Sequence, residues 1–136
     1  MSHEDFDRLR AEDGFLELFE VYGDLKGTPK QFVLEELSAG HDVLLEVDVQ
    51  GALAIREAIP DALLVFIQAP SRAEQRRRLV ARGSETEESL ARRLGQAETE
   101  EALARSTFDA IVVNHEVSQA VDEVAAILAS RRATRP

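Results

Sequence analysis

The chain has 136 residues, 44% of them hydrophobic and 31% charged, with no cysteine and a formal net charge of −10. These values predict a soluble globular domain with its own core, and they exclude disulfides, thiolate metal sites and general nucleic-acid affinity. No apolar run approaches the roughly 20 residues that span a bilayer, and the acidic start MSHEDFDRLR is no secretory signal, so the reading is cytoplasmic with no membrane partner.

In chain order, Ser2 and Asp5 stand at capping-box spacing and predict a first helix from Ser2 to near Gly14. Phe15–Tyr22 reads as a strand by its aromatic and β-branched content, and Gly23–Gly27 as a turn. Thr28-Pro29 predicts a helix start, a capping hydroxyl followed by proline at the first helical position, and Gly40 ends that helix. Val43–Val47 is apolar on both faces and reads as a buried parallel strand, followed by a helix over Gly51–Ile59 that Pro60 stops. Leu63–Ile67 is a second buried strand. Ser71 with Glu74, and Ser84 with Glu87, open two further helices, to about Arg82 and about Ala104. Ala110–Val113 is a third buried strand, and Val117–Arg132 a terminal helix with Val121, Val124, Ala125 and Leu128 on its core stripe. Alternating strands and helices predict an α/β fold with a parallel sheet.

Two features carry chemistry. The run VLLEVDVQG, residues 43–51, is apolar yet holds Glu46 and Asp48. Residues 72–105 then set eight arginines against seven glutamates, and of the sixteen basic residues only Lys26 and Lys30 are lysine. The guanidinium fork matches phosphate oxygens, although a GC-rich genome gives the same preference. The helices at 72–82 and 86–104 have few large apolar residues, so the hairpin they form is either a mobile lid or a solvated face. None of the seven glycines, at 14, 23, 27, 40, 51, 83 and 95, opens the phosphate-cradling pattern G-x-x-x-x-G-K-[ST].

Four segments in order make the chain resemble guanylate kinase from about residue 2 to about residue 130. FLELFEVYGDLKGTP looks like the family's guanine-binding segment, and VLLEVDVQGALAIREAIPDA like the strand and turn after it. FIQAPSRAEQRRRLVARGSETEESLARRLGQAETE is similar to the second strand and lid, and FDAIVVNHE to the final strand and adenine-side loop. The resemblance implies an incomplete P-loop nucleoside-monophosphate-kinase-like parallel sheet with flanking helices and a helical lid. As one truncated domain it divides into a GMP-binding part (about 1–41), a core (42–71 and 105–136) and a lid (72–104). The implied reaction is transfer of the γ-phosphoryl of ATP to GMP, with Mg²⁺ accompanying ATP.

By position in these motifs, Glu17 matches the guanine-reading glutamate, whose carboxylate accepts from the adjacent N1–H and N2–H₂ donors. From spacing alone it reads as a surface strand residue. Thr28 matches a hydroxyl at the guanine edge and Asp48 an acid at the guanine amine. Lys26 replaces a tyrosine that bonds the GMP phosphate; it either serves that phosphate as a point charge or is an unrelated turn lysine. Leu25 likewise replaces an aromatic residue. Arg78, Arg82 and Arg93 match the catalytic lid arginines, with Arg78, Arg82 and Asn114 on the ATP side. Arg76, Arg77 and Arg92 read as a solvated face. Glu46 stands where the family has an aspartate near the phosphates and metal, but no residue is assigned as a metal ligand.

In the family, the P-loop strand lies between the strands matching Val43–Val47 and Leu63–Ile67. Its absence predicts little kinase activity from these residues alone, and sheet edges open to self-association. The favoured reading is a mis-started fragment of a longer gene. The alternatives are a non-catalytic guanylate-kinase-like module binding GMP or a phosphorylated protein segment, and a decayed fragment. Lys26 and Leu25 favour the module; the lid arginines and Asn114 disfavour it.

Overall fold

A computed structural model describes residues 1–21, 23–83 and 86–134. They fall into two compact units, Met1–Ala62 and Leu63–Pro136.

In the first unit, helix α1 (His3–Ala11) is capped by Ser2, whose hydroxyl accepts the Asp5 N–H at 3.1 Å. Strands β1 (Phe15–Val21) and β2 (Asp24–Pro29) form an antiparallel hairpin, with Val21 opposite Asp24 and Gly23 at φ +83°. The turn expected over Gly23–Gly27 is therefore mostly strand; the Tyr22 end of the expected first strand lies outside the described residues. Asp, Gly and Pro make β2 a poor strand by propensity, and pairing with β1 overrides that. Gly27 is required there: a Cβ would meet Phe15 Cδ1 at 2.7 Å and the Glu17 carbonyl oxygen at 2.9 Å. Helix α2 (Lys30–Ser38) has Pro29 as its N-cap and no side-chain cap. Thr28 does not cap it, because its hydroxyl is committed to Glu17.

The predicted strand at Val43–Val47 is not formed: no ladder pairs these residues among the described residues, and pairing is what makes a strand. Burial still alternates as in a strand. Val43, Leu45 and Val47 pack on the core of Leu16, Val33 and Ile55, whereas Leu44 is 87% exposed. The expectation of burial on both faces thus fails at Leu44. Helix α3 (Val49–Ala58) starts two residues before Gly51, with Asp48 as its N-cap and Val49, Gly51, Ala52 and Ile55 buried.

In the second unit, β3 (Val65–Gln68) pairs in parallel with β4 (Ala110–Val113), Val65 opposite Ala110. Between them run α4 (Arg72–Ala81) and α5 (Glu87–Thr107). Ser71 caps α4 through the Glu74 N–H as expected. Ser84 lies outside the described residues, and α5 is capped instead by Thr86, with Ser89 reciprocating. No residue of α4 is buried, and α5 buries only Leu90, Glu101 and Ala104, so the hairpin is the exposed element its composition predicts. Helix α6 (Val117–Thr134) packs on β4 and buries Ala120. Val124 and Leu128 of the expected stripe are half-buried, but Val121 and Ala125 are exposed. A helix lying close on a sheet buries its small residues deepest, and a stripe weighted by side-chain size passes over Ala120. Among the described residues no helix is long and apolar enough to cross a membrane.

Candidate functional site

Glu17 is the most informative side chain. In the β1–β2 register Phe15 faces Pro29 and Glu17 faces Thr28, so Leu16 is an unmatched extra residue. This bulge breaks the period-2 alternation, and Leu16 and Glu17 both turn inward; Glu17 is only 5% exposed. The Thr28 hydroxyl donates to Glu17 Oε1 at 2.5 Å, while Glu17 Oε2 is buried without a hydrogen-bond partner among the described residues. A buried carboxylate oxygen without a donor is costly. Its retention is expected where a ligand supplies the donor.

Glu17 Oε2 lies against the first turn of α3: a Cβ on Gly51 would sit 3.7 Å from it, 3.1 Å from Asp48 Oδ1 and 3.2 Å from Val47 Cβ. Glycine at 51 therefore lets the two carboxylates approach one helix start. Asp48 accepts the Gly51 N–H through Oδ1 at 2.7 Å and is otherwise exposed. The positive end of α3 favours negative charge at both groups. Glu17, Thr28 and Asp48 are thus brought together at the start of α3. Lys26 is exposed on β2 opposite Phe19, and among the described residues no hydrogen bond or ion pair joins it to this cluster. Phe19, Glu20, Glu46, Val47 and Asp48 line an open depression in the same unit. No group of three His, Asp or Glu residues among the described residues is placed to hold a metal ion.

The arginine-rich residues lie in the second unit. Arg78 donates from Nε to Glu74 Oε1 at 3.0 Å and from Nη2 to the Asn114 carbonyl oxygen at 3.1 Å. Asn114 is itself held by its N–H on the Gln68 carbonyl at 2.8 Å. Its side-chain Oδ1 is buried without a partner among the described residues. Arg82 forms the C-cap of α4 and Arg93 lies on α5; both are exposed. Arg77 grips Glu74 with two bonds of 2.9 and 2.6 Å from the solvent side, as a solvated-face residue does.

The Glu74 carboxyl is held at about 2, below its ordinary 4.5, first by the Arg77 hydrogen bond and against the opposing effect of burial, with Arg78 adding to the lowering. Because the folded value is depressed, the stabilisation is complete above 4.5 and is lost as pH falls through about 2. A carboxyl-carbon NMR titration of Glu74 is expected to give a midpoint near 2, with the Arg77 and Arg78 contacts intact at pH 4.

The guanylate kinase family model matches residues 1–131. The guanylate kinase of Caldanaerobacter subterraneus subsp. tengcongensis is 42% identical over 131 residues, covering 96% of this chain and 63% of the relative. That of Thermus thermophilus is 48% identical over 127 residues, covering 93% of this chain and 57% of the relative. The chain belongs to the guanylate kinase family. The crystal structure of guanylate kinase from Anaplasma phagocytophilum superposes with a TM-score of 0.73 at 27% identity, covering 96% of this chain and 62% of that one. The α/β fold is therefore that of guanylate kinase, and the chain spans under two thirds of the length of these relatives.

Several residues that shape the two units carry no motif of their own. Gly51 reads as a helix start, not as the residue that admits two carboxylates. Glu74 reads as half of a capping box, although its spacing of four from Arg78 is a signal for a pair on one helix face. Glu101 is 7% exposed and takes Arg72 Nη2 at 2.9 Å and Arg105 Nη2 at 2.5 Å. It looks like one more surface glutamate in a charged helix.

Proposed function

We propose that this chain carries the guanine-recognition side and the lid of an ATP-dependent GMP kinase. The observation that supports it most is the buried, partnerless Glu17 Oε2 beside the Thr28-held Oε1. Guanine presents N1–H and N2–H₂ as adjacent donors, and a carboxylate fixed through one oxygen accepts them in one plane. Adenine offers an unprotonated N1 at the same edge, so it leaves the carboxylate unpaired and is rejected. Asp48 then takes the remaining amine proton, and Lys26 reaches the GMP phosphate as a point charge.

On the donor side, the orphaned Asn114 Oδ1 accepts the adenine amine. Arg78, Arg82 and Arg93 compensate charge on the transferring phosphoryl group. Mg²⁺ enters with ATP on this reading, and the residues described form no site for it by themselves. Phosphoryl transfer rests on positioning and charge, and the phosphate-cradling loop pattern is not among these 136 residues. The expectation for them alone is guanine-selective binding with little turnover.

Calorimetric titration with GMP, with AMP and with a phosphoserine peptide tests the reading. GMP binding with AMP at least about 100-fold weaker supports it. Equal affinity for GMP and AMP, or a preference for the phosphopeptide, overturns it.

A further inference from the structure

The geometry points to Glu74 as a positioning residue: together with the Asn114 main-chain carbonyl it holds the Arg78 guanidinium in place for phosphate oxygens. The inference rests on the functional reading above, in which Arg78 meets the phosphates of ATP.

Arginine has five N–H donors in one plane. In this chain Nε–H is committed to Glu74 Oε1 and one Nη2–H to the Asn114 carbonyl. The other Nη2–H and both Nη1–H groups remain, enough for a two-point contact with a phosphate. Two fixed points define the orientation of a planar group, so the fork is set before any ligand arrives.

Both anchor points are themselves fixed. Glu74 sits in the first turn of α4, its N–H on the Ser71 hydroxyl at 3.1 Å. Its carboxylate is gripped by Arg77 from the other side, which prevents it from rotating away from Arg78. The Asn114 carbonyl follows β4 and is held through the Asn114 N–H to Gln68 at the end of β3. Arg78 keeps 37% of its side chain exposed, so a ligand can reach it. The same residue, Asn114, offers the orphaned side-chain acceptor for a purine amine and the main-chain acceptor that orients the arginine.

The test compares ATP and adenosine binding to the 136-residue chain by NMR titration, in wild type, Glu74→Gln and Glu74→Asp. Adenosine reports the base contact alone, whereas ATP adds the phosphates. The expected result is that Glu74→Gln weakens ATP about tenfold, the loss of one charge-assisted bond, and leaves adenosine unchanged, with Glu74→Asp between the two. The Arg78 Nε–H resonance is expected to exchange slowly in wild type and to vanish into exchange in Glu74→Gln. An unchanged ATP-to-adenosine ratio in Glu74→Gln overturns the positioning role. So does a parallel loss of both ligands, which marks a structural role only. Failure of wild type to bind either ligand instead overturns the donor-side reading. In that case a protected Arg78 Nε–H that survives Glu74→Gln also removes Glu74 as its holder.

Discussion

Glu17→Gln is expected to weaken GMP binding roughly 100-fold or more while the chain stays folded. Two charge-assisted bonds from guanine to the carboxylate are lost, at about 1.5–3 kcal/mol each. The replacement is worse than neutral, because the amide NH₂ of glutamine points a donor at a guanine donor. Stability moves the other way or hardly at all. Wild type holds a carboxylate oxygen that is buried and unpaired, and neutralising a buried charge removes part of its desolvation cost. The Thr28 hydroxyl keeps an acceptor in the amide oxygen. Calorimetry with GMP and thermal unfolding by circular dichroism read the two effects separately. GMP affinity within threefold of wild type in a folded Glu17→Gln protein removes Glu17 from the site.

The elements legible in the sequence are those whose structure is set by their own residues. Helix starts at Ser2 and Ser71 could be read because capping is local: a hydroxyl and an N–H three residues away suffice. Strands β3 and β4 could be read because their apolar runs need no particular neighbour to be recognised. Strand β2 could not, since DLKGTP becomes a strand only through β1. Segment 43–47 failed for the converse reason. Its composition is that of a strand, yet pairing is a property of a second segment, and none pairs with it among the described residues.

The candidate site divides in the same way. The motif resemblance selected Glu17, Thr28 and Asp48, and the structure brings them together. Nothing in the sequence announced the bulge at Leu16 that turns Glu17 inward, nor the missing Cβ at Gly51 that leaves room for it. Arg78 matches a lid arginine by motif, but its hold on the Asn114 carbonyl spans 36 residues and only the fold reveals it. On the proposed function, the Glu17 and Glu74 variants test these two features separately: one reads the guanine base, the other the phosphates of ATP.

Glu101→Ala is expected to destabilise the helical hairpin, although no reading of the reaction uses Glu101. Its carboxylate is buried in α5 and bridges two arginines, Arg105 one turn later and Arg72 at the first position of α4. Removing a buried charge from a paired network costs about 3–5 kcal/mol when the partner charge stays buried. Here Arg72 is 47% and Arg105 62% exposed, so both rehydrate and the cost falls to about 2 kcal/mol. Glu101→Gln keeps one acceptor oxygen, retains one of the two arginine contacts, and loses about half as much. The Arg105 bond lies within α5, whereas the Arg72 bond joins the start of α4 to it, so the damage concentrates where α4 begins. Urea unfolding by far-ultraviolet circular dichroism measures the loss. Hydrogen exchange locates it, with faster exchange expected in the first turn of α4 and an unchanged β3–β4 ladder. Equal stability of Glu101→Ala and wild type would mean that the three-residue bridge is a surface ion pair of negligible worth.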